Sequence, residues 1–144
     1  FETALRPAAL KAARQIVNLC AFAPPGDPEQ ILALATTFDG PALAIPANRA
    51  LVARLTQNVP DQPIAAPLLI AQGLADNVVP PAATNEYVDQ RCAAGQRLEY
   101  WMFAGLDHGT IVQPGNSLTE PLLAWTAARF ANEPQAKGCA RRSF

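Results

Sequence analysis

The chain has 144 residues and a mass of 15.3 kDa, room for one ordinary domain and not for two full ones. Half of its residues are hydrophobic and 16% are charged, which excludes disorder driven by low hydrophobicity and high charge. Eleven basic against twelve acidic residues leave a net charge of −1, which is no footprint for nucleic acid or an anionic membrane surface.

The first part of the chain is Ala/Leu-rich and helical in pattern. Pro7 suits a first helical turn, and Leu10, Ala13, Ile16, Val17 and Cys20 follow at helical spacings. Ala23-Pro24-Pro25-Gly26 breaks that helix. Asp27 then reads as an N-cap, with Pro28 in the first turn and Gln30 placed to close a capping box. Gly40-Pro41 is the next stop, and residues 46–57 can hold a third short helix. Residues 1–58 therefore read as a small helical layer, and the prolines between 58 and 67 as a linker.

Beyond the linker the pattern alternates. Leu68-Leu69-Ile70-Ala71, closed by Gly73, fits a short strand buried on both faces. The stretch 64–75 is also the longest nearly unbroken apolar one, but Pro67, Gln72 and Gly73 interrupt it, and it is far short of the ~20 residues of a spanning helix. Pro80-Pro81 opens a helix over 82–94, and Gly95 is well placed as its left-handed cap. Residues 97–103 are aromatic and alternating, a second strand in which Trp101, Met102 and Phe103 read as core. After a loop with Gly105, Gly109 and Gly115, a last helix spans 122–131, capped by Ser117 or Thr119. Pro121 favours Thr119 as that cap. Leu122, Leu123, Trp125 and Phe130 are available there for packing. Asp39-Gly40 and Asp61 read as turn chemistry, and Arg141-Arg142 as a solvated tail. Strand-helix-strand-helix over 67–132 is the grammar of a parallel α/β sheet.

In such sheets, ligands and catalysis gather at the carboxyl ends of the strands. Asp76 follows the first predicted strand and His108 the second. If the strands are parallel neighbours, Asp76 can bond one imidazole nitrogen and leave the other free as a general base. The bland alternative is that Asp76 caps a turn and His108 caps a loop. A His-based zinc cluster is not offered, since the chain has one histidine and no Asp or Cys partners at close spacing. Cys20, Cys92 and Cys139 make an odd number, so at least one is free or paired outside the chain.

These residues carry a resemblance. Pro67-Leu-Leu-Ile-Ala-Gln-Gly73-Leu-Ala-Asp76-Asn-Val-Val79-Pro80, then Cys92-Ala-Ala-Gly95, Asp107-His108 and the late Cys139, is similar to the C-terminal half of an α/β-hydrolase. It resembles more narrowly the secretory lipase and lipase A-type family, well over 64–139 and weakly before. The resemblance implies Asp76 as triad acid and His108 as triad base, with residues 1–58 as part of a helical cap and 59–144 as the C-terminal part of the core. It implies a Cys92–Cys139 bridge, Cys20 bridging to a cysteine in an upstream half, a secreted or cell-envelope location, ester or lipid substrates and no cofactor or metal.

One part departs from that pattern. The fold's order is serine, acid, histidine, with the serine in a G-x-S-x-G elbow, yet no serine precedes Ser117. Ser117 follows the histidine with no strand leading into it, so it belongs to the start of the last helix. The oxyanion-hole loop is likewise upstream. Two strands alone make no stable α/β sheet, and the first would keep an open edge. Together with the opening Phe1-Glu2-Thr3, this reads as a processed product, or a piece that folds with another polypeptide. The expected activity is ester hydrolysis with the serine supplied from outside this chain. The rival expectations are a peptidase or acyltransferase on the same fold, and a non-catalytic, hydrolase-derived assembly or binding module.

Overall fold

A computed structural model describes residues 4–20, 27–38 and 48–144. The expected breaks at 23–26 and 40–41, the Asp39-Gly40 turn and Pro46 lie outside these residues. The chain divides into two compact units, Phe1–Pro60 and Asp61–Phe144.

The first unit is helical. A 3-10 turn at Pro7–Ala9 leads into α1 (Leu10–Ile16), which buries Ala12 and Ala13. Helix α1 ends before Cys20, whose thiol is free and exposed. Helix α2 (Asp27–Ala35) begins with Asp27 itself, and Asp27 Oδ2 accepts the Cys20 N–H at 3.1 Å. The aspartate thus ties α2 to the end of α1. Helix α3 (Arg49–Gln57) has Asn48 as its N-cap, accepting the Leu51 N–H at 2.9 Å. Among the described residues α2 and α3 bury no side chain, and Leu32 and Leu55 are exposed.

The second unit is a parallel α/β layer structure. Strands β1 (Leu69–Gly73), β2 (Leu98–Phe103) and β3 (Cys139–Ser143) lie in the order β1-β2-β3, all parallel. Helix α4 (Pro81–Ala93) joins β1 to β2, and α5 (Thr119–Phe130) joins β2 to β3. Side chains alternate across a strand, so each face collects its own core. Leu98 and Tyr100 pack with Val88 of α4, while Trp101 and Phe103 pack with Leu118 and with Trp125 of α5. The helices therefore cover opposite faces while the strands advance in one direction. The two crossovers consequently have opposite hand, one of them the uncommon left-handed form.

The third strand corrects the two-strand expectation. Arg141 and Arg142 are exposed, as expected, but they belong to a strand rather than a tail: Arg141 ion-pairs with Asp89 and lies 5.6 Å over the Tyr100 ring. Arg142 approaches Glu99 Oε2 at 3.9 Å and lies 5.9 Å from the Trp101 ring. Glu99 is buried, accepting from Trp125 Nε1 at 2.8 Å and Trp101 Nε1 at 3.3 Å. The Cys92–Cys139 disulfide joins the end of α4 to the start of β3 and holds the strand there.

Local signals explain the element ends. Gly95 takes φ +81°, and the bonds Gly95 N–H to Cys92 O and Gln96 N–H to Arg91 O close α4 in a Schellman motif. Helix α5 starts earlier than expected, and neither Ser117 nor Thr119 caps it. The N-cap is Leu118, without a side-chain cap bond, and Asn116 ties the turn before it: Oδ1 accepts from Leu118 N and Thr119 N at 2.8 and 3.2 Å, while Nδ2 donates to Thr110, Ile111 and Gln113 carbonyls. Phe130, expected in packing, is 85% exposed. β1 is half-buried rather than sealed on both sides, because it is the edge of the sheet. Among the described residues, no helix is long and apolar enough to cross a membrane.

Candidate active site

Parallel pairing of β1 and β2 sets Gly73 opposite Phe103, so the loops that leave the two strands emerge side by side. The stitching continues past the strand ends: Leu74 N–H bonds Phe103 O and Ala75 N–H bonds Leu106 O, each at 2.9 Å. Such contact demands glycine at position 73. A Cβ there would lie 2.4 Å from Leu106 O and 2.8 Å from Leu106 C, both backbone atoms.

That contact brings two side chains together across 32 residues of sequence. Asp76 Oδ2 lies 3.0 Å from His108 Nδ1. Its other oxygen, Oδ1, accepts the N–H groups of Val78 at 2.9 Å and Val79 at 2.8 Å. The Asp76 side chain is 7% exposed and the His108 ring 53% exposed. Burial of the carboxyl pushes its pKa up; the N–H groups of Val79 and Val78 and the imidazole outweigh this, and it lies below the ordinary value. The carboxylate can only accept, so Nδ1 carries the shared proton. In the neutral ring Nε2 then keeps its lone pair. A buried acceptor that orients an exposed imidazole can take and return a proton at Nε2.

Asp107, next to the histidine in sequence, does different work. Its Oδ1 accepts from Thr110 N–H at 2.7 Å, Thr110 hydroxyl at 2.8 Å and Gly109 N–H at 3.0 Å. The Thr110 N–H and hydroxyl hold its pKa below the ordinary value. It locks the loop that presents His108.

The structure brings Asp76 and His108 together and leaves Ser117 exposed in the turn before α5, with no bond to His108. Gln72, which in the sequence only interrupts an apolar run, is buried beneath the Asp76 loop, donating to Gly73 O at 2.9 Å and Val79 O at 3.3 Å. The signal for it was a lone polar residue inside an apolar strand. After the histidine loop, an apolar groove of about 420 Å³ runs between Ile111, Val112 and Pro114 on one side and Leu118, Leu122 and Leu123 on the other. No group of three His, Cys, Asp or Glu residues able to hold a metal occurs among the described residues.

No protein-family model matches this chain, and searches of curated proteins and of solved structures return no match.

Proposed function

We propose that Asp76 and His108 are the acid and base of a Ser-Asp-His triad that hydrolyses carboxylic esters of lipid type, with the serine on polypeptide outside this chain. The observation that carries this reading is the 3.0 Å contact between a buried carboxylate and Nδ1 of a half-exposed imidazole, at the carboxyl ends of adjacent parallel strands. In the reaction, His108 Nε2 takes the serine proton as the oxygen attacks the ester carbonyl. The imidazolium, stabilised by Asp76, returns that proton to the departing alcohol and leaves an acyl-enzyme. Water then repeats the exchange: His108 takes its proton, the acid is released and the serine is re-protonated.

Two further features support an outside partner. β1 ends the sheet on one side, with no neighbouring strand among the described residues. Leu68 O and Leu74 N–H both bond β2, so the alternating residues Leu69 and Ala71 turn their backbone groups to the open edge. An upstream half of a hydrolase sheet would pair there. The first unit then corresponds to part of the cap in the family the sequence resembles. The Cys92–Cys139 bridge agrees with a secreted or cell-envelope location.

The test is turnover of short-chain nitrophenyl esters by material that contains the serine-bearing polypeptide, with and without His108→Ala. Loss of turnover in a variant with unchanged circular dichroism is expected. Retained turnover removes His108 from the mechanism. An assembled protein that binds no fluorophosphonate and turns over no ester or amide would instead mark the chain as a non-catalytic module.

A further inference from the structure

The Asp76 loop hangs from a single buried amide. Gln72 is 5% exposed, on the face of β1 that otherwise gives Leu68 and Ile70 to the core with Val88. A polar group in that position is tolerated only when its hydrogen bonds are made. They are. Nε2 donates to Gly73 O and Val79 O, at 2.9 and 3.3 Å, and Oε1 accepts the Thr84 hydroxyl of α4 at 2.6 Å. The orientation follows from the partners, because two carbonyls can face only the NH2 end of the amide.

Gly73 and Val79 are also the residues that hold Asp76. Gly73 O accepts the Asp76 N–H at 3.3 Å, and Val79 N–H donates to Asp76 Oδ1 at 2.8 Å. One side chain thus clamps both ends of the loop that aims the carboxylate at His108. Asp107, the other carboxylate beside the pair, spends its Oδ1 on Gly109 and Thr110.

From this arrangement we infer that Gln72, fixed by Thr84, is a positioning residue for the Asp76–His108 pair. The inference rests on reading that pair as the acid–base unit. Without the Thr84 hydroxyl the amide loses its anchor on α4, the loop widens, and the carboxylate no longer holds the imidazole in one tautomer.

His108 is the chain's one histidine, so its imidazole can be read alone by nitrogen-15 NMR at mildly alkaline pH. The intact chain shows the Nδ1–H tautomer with a slowly exchanging proton. Thr84→Val, which keeps the shape and removes the hydroxyl, gives a tautomer mixture and speeds exchange of that proton roughly tenfold or more. Thr84→Ser restores both. Val88→Ala, a core change on the same helix, leaves the tautomer as it was. If Thr84→Val keeps the tautomer and the protection, or if Val88→Ala disturbs them equally, the positioning role is wrong. If Asp76→Ala leaves the signal unchanged, the pair itself is wrong. Should Thr84→Val fail to fold, the unsubstituted protein still decides. The Gln72 amide protons exchange slowly if the clamp exists, and exchange at the solvent rate overturns it.

Discussion

The loops after β1 and β2 each place an aspartate beside the same histidine, and the two carboxylates do opposite things. Asp107 adjoins His108 in sequence, is exposed, and spends its Oδ1 on Gly109 and Thr110. Asp76 lies 32 residues away, is buried, and meets the ring at 3.0 Å. Sequence adjacency gives a loop lock, and strand adjacency gives the partner. The reason is geometric. A residue next to the histidine shares its tight turn and finds backbone N–H groups first, whereas parallel pairing delivers the Asp76 loop to the side of the ring.

The largest test of that contrast is on turnover in the assembled protein. Asp76→Asn places an amide against Nδ1, favours the wrong tautomer, and is expected to lower kcat by roughly 10⁴. Asp107→Asn retains an acceptor oxygen for Thr110 and is expected to cost less than roughly tenfold. Equal losses, measured side by side, would erase the distinction between partner and lock.

Next in size is a change remote from both loops. The Cys92–Cys139 bridge spans a sequence separation of 47, and Cys139→Ser is expected to remove roughly 4 kcal/mol in the chain-entropy view. Urea denaturation under oxidising conditions should show that loss while the His108 tautomer stays fixed. An unchanged midpoint would mean that the bridge does not hold β3.

Gly73→Ala strikes where the two loops meet. The new Cβ would clash with the Leu106 carbonyl, so a loss of about 1–3 kcal/mol is expected together with loss of the Nδ1–H tautomer. Stability lost with the tautomer intact would show that the loops can part without releasing the pair.

The smallest effect is in acid. The pKa of Asp76 is lowered in the folded chain, so its contribution to stability is complete above the ordinary value of 3.8. That contribution is lost as pH falls through the lower folded value, because the unfolded chain then binds the extra proton. Asp76→Asn should flatten the fall of the urea midpoint in that range. Parallel profiles for the two proteins would contradict the bonding to Val78, Val79 and His108.

Much of this is legible in the sequence alone. β1, α4, β2 and α5 announce themselves through apolar runs, Pro80-Pro81, Gly95 and the alternating aromatics, and strand-end position singles out Asp76 and His108. β3 was hidden because an edge strand can be charged: Arg141 and Arg142 read as tail until Asp89, Glu99 and the aromatic rings give them partners. Gln72 looked like an interruption, since the carbonyls it satisfies belong to a loop whose path depends on β2. Gly73 read as a strand end, and its need for close backbone approach depends on Leu106, 33 residues on. The tie that Asn116 makes was hidden, because its six bonds gather from both sides of a turn that sequence spacing does not close.

The central claim is that Asp76 and His108 serve a serine carried elsewhere. Fluorophosphonate labelling of material from the native source, followed by intact mass under denaturing, non-reducing conditions, tests it most directly. The account predicts a label on a serine of polypeptide other than these 144 residues, held with them covalently or by association, and labelling that slows when His108 is replaced. A lone 15.3 kDa species that takes no label would contradict it.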